Sequence, residues 1–412
     1  MLKSYLKRVL SLVKTPEMFR PDTITYLGNE AADADSIVSS ICYAYLKQSQ
    51  QSSSTSDLDN LLHIPITPIE RNELVLRQDV NILLQRVGLT FDDLTCINEV
   101  PFSNLLLNDK LKLKLLDHNS LSSRTSQYIT SKVGRPISYE INGILDHHVD
   151  LENHPECTGA SRVIEFDSSL QKALVGSTCT LIVERYLAVN PTLLDDTAAT
   201  LLMGVICLDT QNMDPVIDKG TARDADAIAA IEPISSVNRT ELFDTLLDAK
   251  MDIAFWRSLS AVDAMRLDFK AFTIDTDTST GKERTYAISS VLLPIVELLE
   301  KPDIESVLDK YLRQEQHDCL LAMAFIDPSD PHRQLLVCTL DRDRAEKLDR
   351  YLLSLTEEPN PLNLIPCELI AEQASICDTM REKGYYINIY DQGNVRVSRK
   401  QMAPIILSFY QQ

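Results

Sequence analysis

Short apolar runs that stop abruptly at charged residues recur through the first part of this chain. "TITYLG" runs into Asn29 and Glu30, "LKLKLLDHN" breaks at Asp117, and "INGILDHH" breaks at Asp146. Each has the length and bounds of a buried strand. Between them Ile37, Val38, Ile41, Cys42, Tyr45 and Leu46 recur at the spacing of one helical face. "GSTCTLIVERYLAV" (176–189) and "TAATLLMGVICLDTQNM" (197–213) read as helices or helix-to-loop segments. This alternation predicts an α/β fold, a parallel sheet with helices on both faces. Binding groups in such sheets gather beyond the carboxyl ends of the strands, where the Asp-His clusters fall.

The N-terminal stretch "MLKSYLKRVLSLVKTPEM" is basic and amphipathic, with Leu2, Tyr5, Leu6, Val9, Leu10 and Val13 on one face. It has no continuous apolar core and no small-residue cleavage site, so it is not read as a secretory signal. A helix packed on the first domain is expected; a mitochondrial presequence is the alternative. "QSQQSSSTSD" (48–57) is polar and reads as a surface loop. The pattern loosens around "IEPISSVNR" (231–239), which sets expected domains at 1–232 and 240–412. Beyond it, "RTYAISSVLL", "CLLAMAFID", "RQLLVCTLD" and "YYINIYD" are strand-like, with helical stretches between. They predict a second α/β domain with a smaller mixed sheet.

Composition narrows the function classes. The 412 residues are 44% hydrophobic and 24% charged, ample for two cores. No run approaches the ~18 apolar residues of a membrane span. A formal net charge of −20 is opposite in sign to that of a nonspecific nucleic-acid binder. No nucleic-acid or membrane partner is therefore expected. A polyanionic substrate would need a local positive site, from basic side chains or cations. Nine scattered cysteines without a CxxC indicate a reducing compartment, here taken as the cytoplasm. GxxxxGK, GxGxxG and GxSxG motifs are absent, which removes those nucleotide cradles and the serine-hydrolase elbow.

The candidate chemistry is concentrated. Asn29, Asp33 and Asp35, then Asp117, then Asp146, His147 and His148, then Asp209 come from four segments, each at a strand or helix end. Four of the seven histidines lie in or just after these motifs. One DxD is more often a solvated loop or a helix N-cap than a ligand pair. Four such segments together suit divalent cations, and a pair of cations would relieve the repulsion among the aspartates.

The set GNExxDxDS, LDHN, ILDHH and LDT resembles the DHH phosphoesterase superfamily. "PIERNELVLRQDV", "GSTCTLIVERYL", "MRLDFK" and "VRVSRKQMAP" are similar to its exopolyphosphatase and Prune-type branch, which carries a DHHA2 second domain. The resemblance runs from about Tyr26 to Ser408. It implies a parallel-sheet DHH domain, a smaller α/β DHHA2 domain and an active site in the interdomain cleft. It implies two divalent cations, Mg²⁺ or Mn²⁺ with Co²⁺ as a further candidate. Asp33 would bind one and Asp35 the other, with Asp117 bridging and His147 and Asp209 completing the second. His148 would contact phosphate, with Asp146 orienting the histidine pair. Arg399 and Lys400 match the phosphate-binding pair of the second domain, and Lys270 is a third cation there. Asn29 stands where the pyrophosphatase branch has His, and an amide ligand favours Mg²⁺ more than imidazole does. Arg77 reads as a surface ion pair, with contact to a distal phosphate as the alternative.

The expected activity is exopolyphosphatase, with a water between the cations attacking the terminal phosphorus. Pyrophosphatase, hydrolysis of nucleoside oligophosphates or cyclic nucleotides, and a slow regulatory binding role are the alternatives. The sequence leaves oligomeric state open.

Overall fold

The computed structural model describes residues 1–20, 22–51, 62–170, 172–276, 283–325, 332–357 and 361–411. The chain divides into two units, Met1–Lys250 and Met251–Gln412.

The first unit is built on five strands: β1 (Ile24–Leu27), β2 (His63–Ile66), β3 (Lys110–Leu116), β4 (Ser138–Asp146) and β5 (Arg162–Ile164). They pair in parallel in the order β2-β1-β3-β4-β5. The chain thus moves outward from β1 to β2, then returns across β1 to lay down β3. That reversal opens a crevice beyond the carboxyl ends of β1 and β3, the favoured ligand position of an open α/β sheet. In β3, Leu111, Leu113 and Leu115 are buried and alternate with Lys112 and Lys114. Pro65 stands in β2, an edge strand, where a missing N–H is tolerated. A short hairpin of β6 (Phe166–Asp167) and β7 (Lys172–Ala173) follows β5.

The helices of this unit are α1 (Leu2–Val13), α2 (Ala34–Gln51), α3 (Gln78–Arg86), α4 (Ser123–Val133), α5 (Thr178–Val189), α6 (Asp196–Asp209), α7 (Ala222–Ile231) and α8 (Arg239–Lys250). α1 packs on the first core through Leu2, Tyr5, Leu6, Val9 and Leu12. The buried stripe is rotated from the expected one: Leu12 is inside, while Leu10 and Val13 are half-exposed. α8 buries Leu242 and Leu246 in the same core. The division therefore falls at Lys250, later than the loosened pattern at 232–240. Of the Ser-rich stretch 48–57, residues 48–51 form the end of α2; the remainder lies outside the described residues.

In the second unit, helices α9 (Ile253–Ser258) and α10 (Ala261–Leu267) lead into β8 (Phe269–Thr276) and β9 (Glu283–Val291). Then come α11 (Ile295–Leu299), α12 (Ile304–Leu308), β10 (Leu320–Phe325), β11 (Arg333–Thr339), α13 (Arg342–Ser354), β12 (Leu364–Pro366), α14 (Ala371–Glu382), β13 (Tyr386–Gln392) and α15 (Arg399–Tyr410). The strand order is β12-β13-β11-β10-β9-β8. The β9–β10 pair is parallel and the others are antiparallel, so the sheet is mixed as expected. Among the described residues it is not the smaller one: it has six strands against five, because β8 and the three-residue β12 extend its edges. Among the described residues no helix is long and apolar enough to cross a membrane.

Gly28 joins β1 to the site. A Cβ there would lie 2.7 Å from Ser36 Cβ and 2.9 Å from its carbonyl oxygen. Gly28→Ala should push α2 away from the strand. Overpacking of this kind costs about 1–3 kcal/mol, read as a lower urea midpoint for the first unit. An unchanged midpoint would show that the contact relaxes freely.

Candidate metal centre

The loop after β1 enters α2 through two constrained residues. Ala32 is fully buried at φ 49°, a left-handed conformation unfavourable to a residue with a Cβ. Asp33 caps α2, its Oδ1 accepting the Ser36 N–H at 3.0 Å. The loop is held from outside by Arg77, which is buried and donates from Nε to the Ala32 carbonyl at 3.0 Å and from Nη2 to the Ala31 carbonyl. Arg77 is therefore not the surface group expected: it is buried, and its guanidinium holds main-chain oxygens of the loop that carries Asn29 and Asp33.

Asp117, directly after β3, gathers three elements. Its Oδ2 accepts from Asn29 Nδ2 at 2.7 Å and from Ser36 Oγ at 2.9 Å. Its Oδ1 accepts from Thr178 Oγ1 at 3.3 Å. The residue is at φ 62°, which Asp tolerates better than most, and its N–H donates to Leu145 O in β4 at 3.0 Å. Asn29 meanwhile accepts the Ala31 N–H on Oδ1 at 2.9 Å. Asp35 faces the first turn of α5: Oδ1 accepts from Ser177 Oγ and Cys179 N at 2.9 Å each, and Oδ2 from Thr178 N at 2.7 Å. A helix N-terminus suits a carboxylate.

The two histidines after β4 are oriented differently. His147 Nδ1 lies 3.0 Å from the Val175 carbonyl, an acceptor that requires the proton on Nδ1. Its Nε2 then turns a lone pair toward Asp117 Oδ1 at 3.5 Å and Asp35 Oδ2 at 3.9 Å. His148 Nδ1 bonds Asp146 Oδ1 at 2.8 Å, and the same oxygen accepts the His147 and His148 N–H groups at 2.8 and 3.2 Å. Asn119 donates to the other Asp146 oxygen at 2.6 Å.

The electrostatics are those of carboxylates short of positive charge. Burial, followed by the charges of Asp117 and Asp209, pushes Asp35 well above the usual carboxylate range. Burial raises Asp209, at the end of α6, to about 7, although the Lys250 ammonium pulls it down. Asp146 behaves oppositely. Burial would raise it, but the charge of His148 and its hydrogen bond hold it down at about 2.

Does this set fit a cation? Asp209 Oδ2 is buried with no hydrogen-bond donor. Asp117, His147 and His148 offer ligand atoms all within 4.8 Å of one another. Carboxylate oxygens facing an imidazole lone pair at 3.5–3.9 Å repel it, and a cation between them removes the repulsion. The residues fit a divalent metal. The structure brings Asn29, Asp35, Asp117, Asp146, His147 and His148 together by direct contact, and Asp33 and Asp209 by their mutual electrostatic influence.

Arg399 opens α15, and its Nη1 lies 2.6 Å from both the carbonyl and the carboxylate Oδ1 of Asp268. Lys400 is exposed, and Lys270 is half-buried in β8. Sequence reasoning missed Ser36, Asn119, Ser177, Thr178 and the role of Arg77. The Gly-Ser-Thr run before α5 was a usable signal, since it places hydroxyls and main-chain N–H groups at a helix start.

Fold and site together define a class: an open parallel α/β domain with a buried Asp/His cluster of metal-ligand chemistry at its switch point. The chain carries a DHH-family N-terminal domain and a DHHA2 domain. The description "DHH family, N-terminal domain" matches residues 23–206, and "DHHA2 domain" matches 244–409. Exopolyphosphatase PRUNE1 of Mus musculus is 29% identical over 385 residues, 92% of this chain and 74% of that protein. A "Putative exopolyphosphatase" of Schizosaccharomyces pombe is 26% identical over 408 residues, 93% and 90% of the two chains. A Methanococcus jannaschii structure described as a "putative family II inorganic pyrophosphatase" shares the fold, with a TM-score of 0.56 at 20% identity, covering 95% of this chain and all of that one.

Asp209→Asn removes one buried negative charge. Without metal the variant should be more stable than the wild type by about 1 kcal/mol or more. The upward shift in melting temperature on adding Mn²⁺ or Mg²⁺ should shrink. Equal metal-induced shifts in both proteins would take Asp209 out of the centre.

Proposed function

We propose that this chain is a divalent-cation-dependent phosphoanhydride hydrolase, an exopolyphosphatase that releases terminal orthophosphate from inorganic polyphosphate. The observation that carries the reading is the His147 Nε2 turned onto the Asp117 and Asp35 carboxylates. The names of the relatives support the choice of substrate class.

Two cations, Mg²⁺ or Mn²⁺, are assigned to Asp33, Asp35, Asp117, His147 and Asp209, with Asn29 beside them. When bound, such ions supply positive charge and acidify water near neutral pH. The chain's own residues set the rest. Asp117 is fixed by donors from Asn29, Ser36 and Thr178, so its carboxylate cannot swing away. Asp146 stays ionised and grips the Nδ1 of His148, which favours a cationic imidazole. Substrate contact at His148 then falls to Nε2, a donor to a terminal phosphate oxygen.

Arg399, Lys400 and Lys270 are assigned to further phosphate oxygens. Arg399 commits only Nη1 to Asp268, and a guanidinium has donors at Nε and Nη2 as well. In a chain of net charge −20 such basic groups are where a polyanion is held.

Phosphate release from pyrophosphate, tripolyphosphate and long polyphosphate, each with Mg²⁺ and with Mn²⁺, tests the reading. Turnover should be highest on the polyphosphates and absent in EDTA. Release from pyrophosphate alone would replace the assignment with pyrophosphatase, and no release from any of the three would end it. Asp117→Ala should lower kcat on the order of 10³-fold with the fold retained by circular dichroism.

Steady-state kinetics separates the roles of the second unit. Arg399→Ala should lower kcat as well as raise KM, losing about 2.7–4 kcal/mol of transition-state stabilisation. Lys400→Ala should act mainly on KM, more for long polyphosphate than for pyrophosphate. Wild-type constants in both variants would remove the pair from the reaction.

A further inference from the structure

A second charged cluster lies in the first unit, with the opposite sign. Lys47 of α2, Lys114 of β3 and Arg185 of α5 are half-buried; the two lysines stand over the Tyr43 ring, and the Arg185 charge acts on all three groups. Lys114 Nζ is 4.9 Å and Lys47 Nζ 5.6 Å from the ring centroid. Among the described residues none of the three makes an ion pair, although this protein has twenty more acidic than basic side chains. Their mutual influence is direct. Burial, then the Lys47 ammonium, brings Lys114 down to about 8, and Arg185 adds to the effect. Burial and Arg185 lower Lys47 in the same way.

The tail of Lys114 lies across Gly143 of β4, where a Cβ would come within 2.6 Å of Lys114 Cε and Nζ and would shift the ammonium from its present place. Tyr43 presents its ring to both lysines and is itself fixed edge-on by Tyr26 at 5.7 Å. Half-buried like charges without counter-charges are costly, and native proteins normally pair them. The cation–π contacts offset only part of that cost.

We propose that Lys47, Lys114 and Arg185 form a second anion site that takes a tetrahedral phosphate group. Two ammonium groups and one planar guanidinium match a phosphate oxyanion in charge and in donors. The site is separate from the metal centre. Asp35 and Lys47 share α2, twelve residues apart, which is about 18 Å along the axis at ~1.5 Å per residue. The ligand is either free orthophosphate or the phosphoryl end of an oligophosphate. The inference rests on this cluster and stands whether or not the hydrolase assignment does.

Measuring in EDTA isolates the site, because the carboxylate centre without cations repels anions. Orthophosphate or tripolyphosphate is titrated by calorimetry and by melting temperature, against chloride at equal ionic strength. An Arg399→Ala/Lys400→Ala background excludes the basic pair of the second unit. Phosphate should bind and raise the melting temperature in that background. Lys114→Met and Lys47→Met should weaken binding at least tenfold and should melt higher than their parent without phosphate. Arg185→Gln, on a half-exposed helix position, gives the same reading if the lysine variants do not fold. Equal binding of both probes assigns free phosphate, and preference for tripolyphosphate assigns a chain end. No binding beyond chloride, or the same binding in the cluster variants, overturns the proposal.

Discussion

A carboxylate can be held away from water only if donors surround it, and Asp117 shows how the first unit meets that requirement. Its two oxygens are taken by an amide after β1, a hydroxyl in α2 and a hydroxyl at the start of α5. Its main chain is tied to β4. Four elements thus meet at one residue, three of them at its side chain, and their spacing is set by how close they must come. Gly28 permits the approach of α2, and Arg77 fixes the loop between strand and helix. With those contacts in place, Asp35 and His147 have no alternative but to face each other.

The Asp and His side chains of the candidate centre were legible in the sequence because they are local: an Asp or His just past a strand end is visible as a break in an apolar run. The donors that hold them were not visible. Ser36 is one of several serines in α2, and nothing in its neighbourhood marks it as the partner of Asp117, 81 residues away. Arg77 reads from the sequence as a surface group for the same reason, whereas it is buried and bonds carbonyls 45 and 46 residues earlier.

Fold class and the parallel and mixed character of the two sheets followed from periodicity, which long strands carry well. Features that depend on tertiary contact did not. α8 belongs to the first core through only Leu242 and Leu246, too weak a stripe to outweigh the Pro and Ser before it. β12 has three residues and no alternation to read, so the second sheet looked narrower than it is. In α1 the choice between Leu10 and Leu12 is decided by what the helix meets, not by its own spacing.

The two edge-strand prolines have a consequence for association between molecules. An outer strand offers its unpaired N–H and C=O groups as a template on which another chain can add. Pro65 in β2 and Pro366 in β12 each lack the N–H that continued pairing needs. At the opposite edges, β5 is only three residues long and β8 is interrupted by a register shift between Thr273 and Asp275. The borders of both sheets are therefore poor seeds for strand addition, so copies of this chain that do associate are expected to meet through side chains rather than by extending a sheet.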